Sequence, residues 1–412
     1  MTVRILRGDM REKLAEIAEA CVDAIITDPP YHLTTGKKGG SGPASVNLES
    51  PYGRARVGAG FMGMKWDGGD IAMQPETWAL LLRVAKPGAH LLAFSSSRTF
   101  HRMWCAVEDA GWEIRDTLMW LHGEGFPKSS NQHGEWEGWG TALKPAFEPI
   151  LLARKPLTGT VPENLTAHRV GALNIDACRV TVSDESEYAK NFSGDRGHGG
   201  TRDLIGHEAT NMRMGGGKRQ ASTLGRWPAN VLHDGSYEVV SMFPGATGAA
   251  APVHRRNSDK FRSTYGMFKG DVDEAGSTLH GDGLGSAARF FWCPKASKSD
   301  RNAGLGGMPK KSLNWSSGEQ SPGTFQSPNT DRLNENFHPT VKPTELMQYL
   351  VRLVTPRGGV ILDPFMGSGS TGKAAMREGM SFVGIELDEQ YIEIAERRIH
   401  SDAPLFADVS QA

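Results

Sequence analysis

Short apolar runs alternate with amphipathic stretches through the first 155 residues. The pattern dissolves over 156–335 and returns from about 336. Val22-Asp23-Ala24-Ile25-Ile26-Thr27 is a near-continuous β-branched run, the signature of a strand buried on both faces. The same reading predicts strands at 4–6, 90–94, 112–121 and 147–153, with helices over 10–20, 71–85 and 98–110. Pro87-Gly88 reads as the stop between the second helix and its strand. In the last segment, helices are predicted over 343–354, 370–378 and 389–399, with strands at 359–363 and 382–386. Strand, helix and strand in that order form a βαβ unit, so a mostly parallel sheet with a right-handed crossover is expected. The fold class is α/β.

The stretches without pattern are informative too. Residues 33–70 are Gly-rich and polar, too long for an ordinary connection, which points to a functional or mobile loop. Residues 156–335 are rich in Gly, Ser, Asn and Arg, broken only by apolar islands at 172–175 and 287–292. The division predicted is therefore 1–155, an insertion over 156–335, and 336–412. The 50 glycines among 412 residues, about 12% against roughly 7% in average proteins, fall mostly in these loops.

A net charge of −1 excludes a surface coated in cations, but the charge is uneven. From Gly206 to Gly270, Arg213, Lys218, Arg219, Arg226, Arg255, Arg256, Lys260, Arg262 and Lys269 face only four acids. Trp227, Phe243, Tyr265 and Phe268 are interleaved with them, as a nucleic-acid surface needs. A partly disordered insertion is the competing reading. The four cysteines are scattered with no CxxC pair, so neither a disulfide framework nor a metal site is suggested. No run approaches the ~20 apolar residues of a membrane span, and a cytoplasmic chain with no membrane partner is expected.

Candidate chemistry begins at Asp28-Pro29-Pro30-Tyr31, directly after the 22–27 strand. An acid, two prolines and an aromatic ring make a stiff ledge at a strand's carboxyl end, where open α/β sheets bind ligands. Carboxylate, carbonyls and a flat ring suit a planar substrate bearing an NH2 group.

A second motif follows Asp363: Phe365-Met366-Gly367-Ser368-Gly369-Ser370-Thr371-Gly372-Lys373-Ala374. Three readings compete. A phosphate-binding P-loop nearly fits, but Ala374 stands where a hydroxyl should hold the metal ion. A dinucleotide fingerprint fits GxGxxG, with Glu386 19 residues past Gly367 as a ribose-binding acid. The third is a nucleoside pocket for S-adenosylmethionine, with Gly367 and Gly369 allowing close backbone approach, Asp363 facing an amino group and Glu386 accepting from ribose hydroxyls. The ledge selects the third. An exocyclic amine is a weak nucleophile, and acceptors at Asp28 and Pro29 would hold its N–H bonds and aim its lone pair at the methyl donor. Tyr31 would stack on the extruded base.

With both motifs in place, the chain closely resembles the amino-methyltransferases of DNA, in particular the β-group, in which DPPY precedes the target-recognition region and FxGxG follows it. Further stretches resemble that group: Gly8-Asp9, Lys86-Pro87-Gly88, Lys144 to Pro149, and His338-Pro339-Thr340-Val341-Lys342-Pro343. The resemblance implies a Rossmann-like methyltransferase fold with a mostly parallel seven-stranded sheet, an antiparallel hairpin, a circularly permuted motif order and a large insertion. It implies catalytic roles for Asp28, Pro29, Pro30 and Tyr31. Asp9, Lys342, Asp363, Phe365, Gly367, Ser368, Gly369, Thr371 and Glu386 would contact S-adenosyl-L-methionine. Residues 1–155 become the catalytic half, 156–335 the target-recognition region and 336–412 the cofactor half. The implied activity is methylation of a flipped adenine at N6 in double-stranded DNA, since DPPY is typical of adenine enzymes. Cytosine-N4 methylation, or an RNA or protein amino-methyltransferase, is the alternative. A restriction endonuclease partner or an orphan role, and a homodimer, are further expectations of the resemblance.

Overall fold

A computed structural model of the chain describes residues 1–31, 70–123, 131–180, 225–243, 288, 291, 298–312, 333–402 and 408–411. The chain divides into two compact units. The first takes Met1–Cys178, Ala229–Ser236 and Cys293–Ala412, the second Arg179–Pro228 and Tyr237–Trp292.

The first unit is built on a nine-stranded sheet. Its strands are β1 (Thr2–Arg7), β2 (Val22–Thr27), β3 (Ala85–Phe94), β4 (Glu113–Leu121), β5 (Phe147–Arg154), β6 (Val231–His233), β9 (Val360–Asp363), β10 (Ser381–Glu386) and β11 (Asp408–Gln411). The spatial order is β11-β1-β10-β9-β2-β3-β5-β4-β6. The seven predicted strands are its body, with β11 and β6 added at the edges. Only β5 runs against its neighbours, pairing antiparallel with both β3 and β4. A separate small ladder joins β7 (Lys311–Ser312) to β8 (Leu333–Asn334). The motif order is permuted as expected: β9 and β10, late in the chain, lie between β1 and β2.

All six residues of β2 are buried, as a central parallel strand requires. Helices α1 (Met10–Lys13), α2 (Pro75–Val84) and α3 (Phe100–Asp109) contribute Met10, Trp78, Leu81, Val84, Met103 and Val107 to a core with Leu6, Ile25, Leu91 and Leu362. Helix α4 is Val161–His168, α5 Lys298–Asn302, α6 Thr344–Val354, α7 Ser370–Arg377 and α8 Glu389–Asp402; α7 packs against both α6 and α8. No helix among the described residues is long and apolar enough to cross a membrane.

Where elements differ from expectation, local chemistry gives the reason. The helix predicted over 10–20 stops at Lys13 and tightens into a 3-10 turn at Leu14–Glu16. There the Arg83 guanidinium takes the Leu14 and Ile17 carbonyls at 2.5 and 3.0 Å. The 71–85 helix is interrupted by Pro75, which sits in the first turn of α2. Strand β3 starts at Ala85 and carries Pro87-Gly88 within it. Proline has no N–H for the ladder, and the register shifts between Val22 and Ala24 while Gly88 takes φ +82°. Residues 156–178 fold with the first unit: α4 has a Thr160–Glu163 capping box, and buried Asn164 donates to the Pro87 and Val170 carbonyls.

In the second unit, Val180 and Arg226 form an isolated antiparallel bridge. The Arg179 guanidinium lies 5.1 Å from the Trp227 ring centroid, and Phe243 packs on Phe291 at 5.2 Å. The 33–69 loop, most of the basic stretch 206–270 and all but Ala288 and Phe291 of the 287–292 island lie outside the described residues.

Candidate active site

Strands β2 and β9 pair side by side, Ala24 with Ile361 and Ile25 with Leu362, so their carboxyl ends bring Asp28 and Asp363 to one edge. Thr27 locks the two ends together by donating to Asp363 Oδ1 at 2.8 Å. Thr371 donates to Oδ2 at 2.6 Å and the Phe365 N–H to Oδ1 at 3.1 Å. Burial outweighs these bonds, with the nearby Asp28 charge adding to it, and pushes Asp363 up to about 7. Both oxygens of Asp363 thus hold the turn from inside, a positioning role.

Asp28 sits at the centre of a four-residue cluster. Lys342 Nζ donates to its Oδ2 at 2.6 Å and Tyr31 OH to its Oδ1 at 2.6 Å. The same two donors reach Glu148 Oε2, each at 3.2 Å. Lys342 also lies 4.9 Å from the Phe94 ring centroid and 5.6 Å from that of Tyr31. Thr99 Oγ1 donates to the Tyr31 carbonyl at 3.0 Å, fixing the backbone of the ledge beside buried Pro29 and half-buried Pro30. Burial raises the Asp28 pKa and Glu148 adds to it, against the Lys342 ammonium. Burial alone would lower Lys342, but the two carboxylates outweigh it and the amine stays charged. Tyr31 is held well above the ordinary phenol range by burial and both acids, so its hydroxyl remains a donor.

Sequence reasoning assigned Lys342 to the cofactor; here its ammonium rests on the ledge. Glu148, Thr99 and Phe94 were not singled out. Glu148 arrives because β5 is antiparallel: its first residues, not its last, lie at the carboxyl edge of β3. An acid next to the start of an otherwise buried apolar strand was the available signal.

The glycine turn leaves β9 and crosses to β10. Met366 N donates to the Ile385 carbonyl at 3.0 Å and Gly367 N to Glu386 Oε2 at 2.7 Å. Glu386 Oε1 accepts from Leu387 N and Asp388 N, and burial raises its pKa against those bonds. Gly367 has φ +52°, and a Cβ there would stand 2.8 Å from His338 Nε2. Gly369 has φ +77°, and its Cβ would meet Ala395 Cα at 2.9 Å. Both glycines are thus required by backbone conformation and by packing within the protein. Buried Arg398 braces the turn from behind, its Nη1 donating to the Ser368 carbonyl at 2.6 Å and to the Ser368 and Ser370 hydroxyls.

Lys373 has no accessible surface and pairs with Asp300 at 3.3 Å and Asp402 at 3.2 Å, ion contacts without hydrogen-bond geometry. A P-loop lysine must face phosphates, so that reading is excluded. Asp9 caps α1 through Arg11 N and pairs with the Arg11 guanidinium at 2.6 Å, next to Gly8, whose N–H bonds the Glu386 carbonyl. Among the described residues, then, this edge offers carboxylates, half-buried Phe365 and exposed Leu387, while Lys373 and Arg398 are committed inside. These acceptors fit a cationic nucleoside with free hydroxyls better than a pyrophosphate.

An α/β sheet carrying an acid-Pro-Pro-Tyr ledge beside a glycine turn is the frame of an amino-methyltransferase. The profile of the DNA methylase family that joins N6 and N4 enzymes matches residues 22–397, and the chain belongs to that family. The family is S-adenosylmethionine-dependent. Among curated relatives, type II methyltransferase M2.DpnII of Streptococcus pneumoniae is 43% identical over 65 residues, 16% of this chain and 24% of the relative. M2.LlaDCHI of Lactococcus lactis subsp. cremoris is 41% identical over 66 residues, again 16% and 24%. The matched stretch thus spans about a quarter of each relative's length. Among solved structures, the DNA modification methylase TTHA0409 of Thermus thermophilus, complexed with S-adenosyl-L-methionine, aligns over 100% of both chains at 15% identity and TM-score 0.41. The PvuII DNA methyltransferase, cytosine-N4-specific, aligns over 97% of this chain and 86% of its own at 12% identity and TM-score 0.41.

Proposed function

We propose that this chain is a sequence-specific DNA methyltransferase acting on the N6 amine of an adenine flipped out of double-stranded DNA. The observation that carries the reading is the Asp28 carboxylate at the carboxyl edge of β2, one strand from the glycine turn of β9. When bound, S-adenosylmethionine supplies an electrophilic methyl group on a sulfonium. Asp28 and the Pro29 carbonyl accept the two N–H bonds of the base, so the nitrogen turns tetrahedral and its lone pair is aimed. Tyr31, fixed by Thr99, stacks on the base and helps offset the few kcal/mol of extrusion. Methyl transfer would leave the nitrogen with one proton too many, and the Asp28 carboxylate is the base placed to accept it. Asp363 and Glu386 hold the cofactor turn in shape.

Aspartate rather than serine at the head of the ledge supports adenine over cytosine. The basic and aromatic composition of the middle region supports target recognition there. Modification-sensitive sequencing of DNA from cells expressing the wild type or Asp28→Ala tests this reading. N6-methyladenine in one sequence context, absent with the variant, is expected. N4-methylcytosine, or unmodified DNA, overturns it.

A further inference from the structure

Asp28 faces a difficulty as the acceptor for an incoming amine, because both its oxygens already hold donors, Lys342 Nζ and Tyr31 OH. If the amine's N–H displaced either with no alternative, a buried ammonium or a buried hydroxyl would lose a hydrogen bond. Both donors, however, already reach one further oxygen, Glu148 Oε2, at 3.2 Å each. We propose, building on the reading above, that Glu148 is a positioning residue that takes over the donor, Lys342 or Tyr31, that the substrate N–H displaces from Asp28. The exchange needs no large movement, since each donor shortens an existing contact as it leaves Asp28. Phe94, against which the ammonium already rests, stays in place throughout.

The charge of Glu148 matters as well as its position. Asp28 faces Lys342, Glu148, Tyr31 and, through the neighbouring strand end, Asp363. Of these, Glu148 offsets the Lys342 ammonium and keeps Asp28 basic enough to accept N–H bonds. Glu148→Gln would keep the shape and one acceptor oxygen but remove the negative charge, leaving Asp28 as the one carboxylate beside the ammonium.

The test uses the full chain with labelled S-adenosylmethionine and double-stranded DNA under single turnover, comparing wild type, Glu148→Gln and Glu148→Asp. Cofactor and DNA affinities of all three are expected within about twofold of each other, with the rate of Glu148→Gln down about 10²-fold, as for loss of one preorganised polar group. Glu148→Asp, shorter but charged, is expected to outperform Glu148→Gln. The acid limb of the rate profile is expected to move to lower pH in Glu148→Gln, because removing the carboxylate lowers Asp28. A structural role would reverse the ranking, favouring the isosteric glutamine, and leave the limb in place; that result overturns the proposal. If Glu148→Gln fails to fold while Glu148→Asp matches wild type in stability and rate, the limb is read on Glu148→Asp, and a limb shifted from wild type overturns it too. A wild type that methylates no DNA sinks the underlying function instead, whereas wild-type activity unchanged in Glu148→Gln sinks this inference alone.

Discussion

Asp363 carries three hydrogen bonds yet titrates near neutrality, because burial of the carboxylate outweighs them. Its pKa is raised on folding, so its contribution to stability is full below the ordinary carboxylate range and is lost as pH rises towards about 7. Asp363→Asn has no such dependence. The difference in melting temperature, variant minus wild type, is therefore expected to increase from pH 4 to pH 7 and to flatten above; a difference constant with pH would contradict the assignment. The ledge itself was legible in the sequence, because an acid and two prolines closing a buried run fix a strand end by local chemistry alone. Lys342 was legible as a site residue but not in its partner, since the salt bridge to Asp28 spans most of the chain. Glu148 was illegible: whether an acid reaches the edge depends on the direction of β5, which pairing decides and periodicity does not.

At the scale of elements, the glycine turn is held on one side by backbone conformation and on the other by α8. Gly369→Ala would place a side chain in the left-handed region and against Ala395, so a loss on the order of 2–4 kcal/mol is expected in urea unfolding. Loss of cofactor affinity with stability intact would show instead that the glycine is needed for the ligand. Lys373 joins α7 to Asp300 of α5 and Asp402 of α8. Lys373→Ala leaves two carboxylates facing one another across a buried gap, and a cost of about 3 kcal/mol is expected; unfolding at wild-type denaturant concentration would show the pairs to be dispensable. The central strands were legible because a strand buried on both faces, as β2 is, reads as an apolar run. Residues 231–233, only three long, and 408–411, short and polar, did not stand out. Helix α4 was also missed: Asn164, its fully buried residue, is polar, and its packing comes from hydrogen bonds to β3 rather than from an apolar stripe.

For the whole molecule, the sheet order places a late β9–β10 unit between β1 and β2, so the glycine turn and the Asp28 ledge become neighbours although 335 positions separate Asp28 from Asp363 in the chain (363 minus 28). The claim that this edge methylates adenine at Asp28 is tested by incubating the purified chain with methyl-labelled S-adenosylmethionine and double-stranded DNA, then separating the digested nucleosides. Label in N6-methyldeoxyadenosine is expected with wild type, and at least ~10²-fold less with Asp28→Ala despite unchanged cofactor binding. Label in N4-methyldeoxycytidine, or equal label from Asp28→Ala, would contradict it.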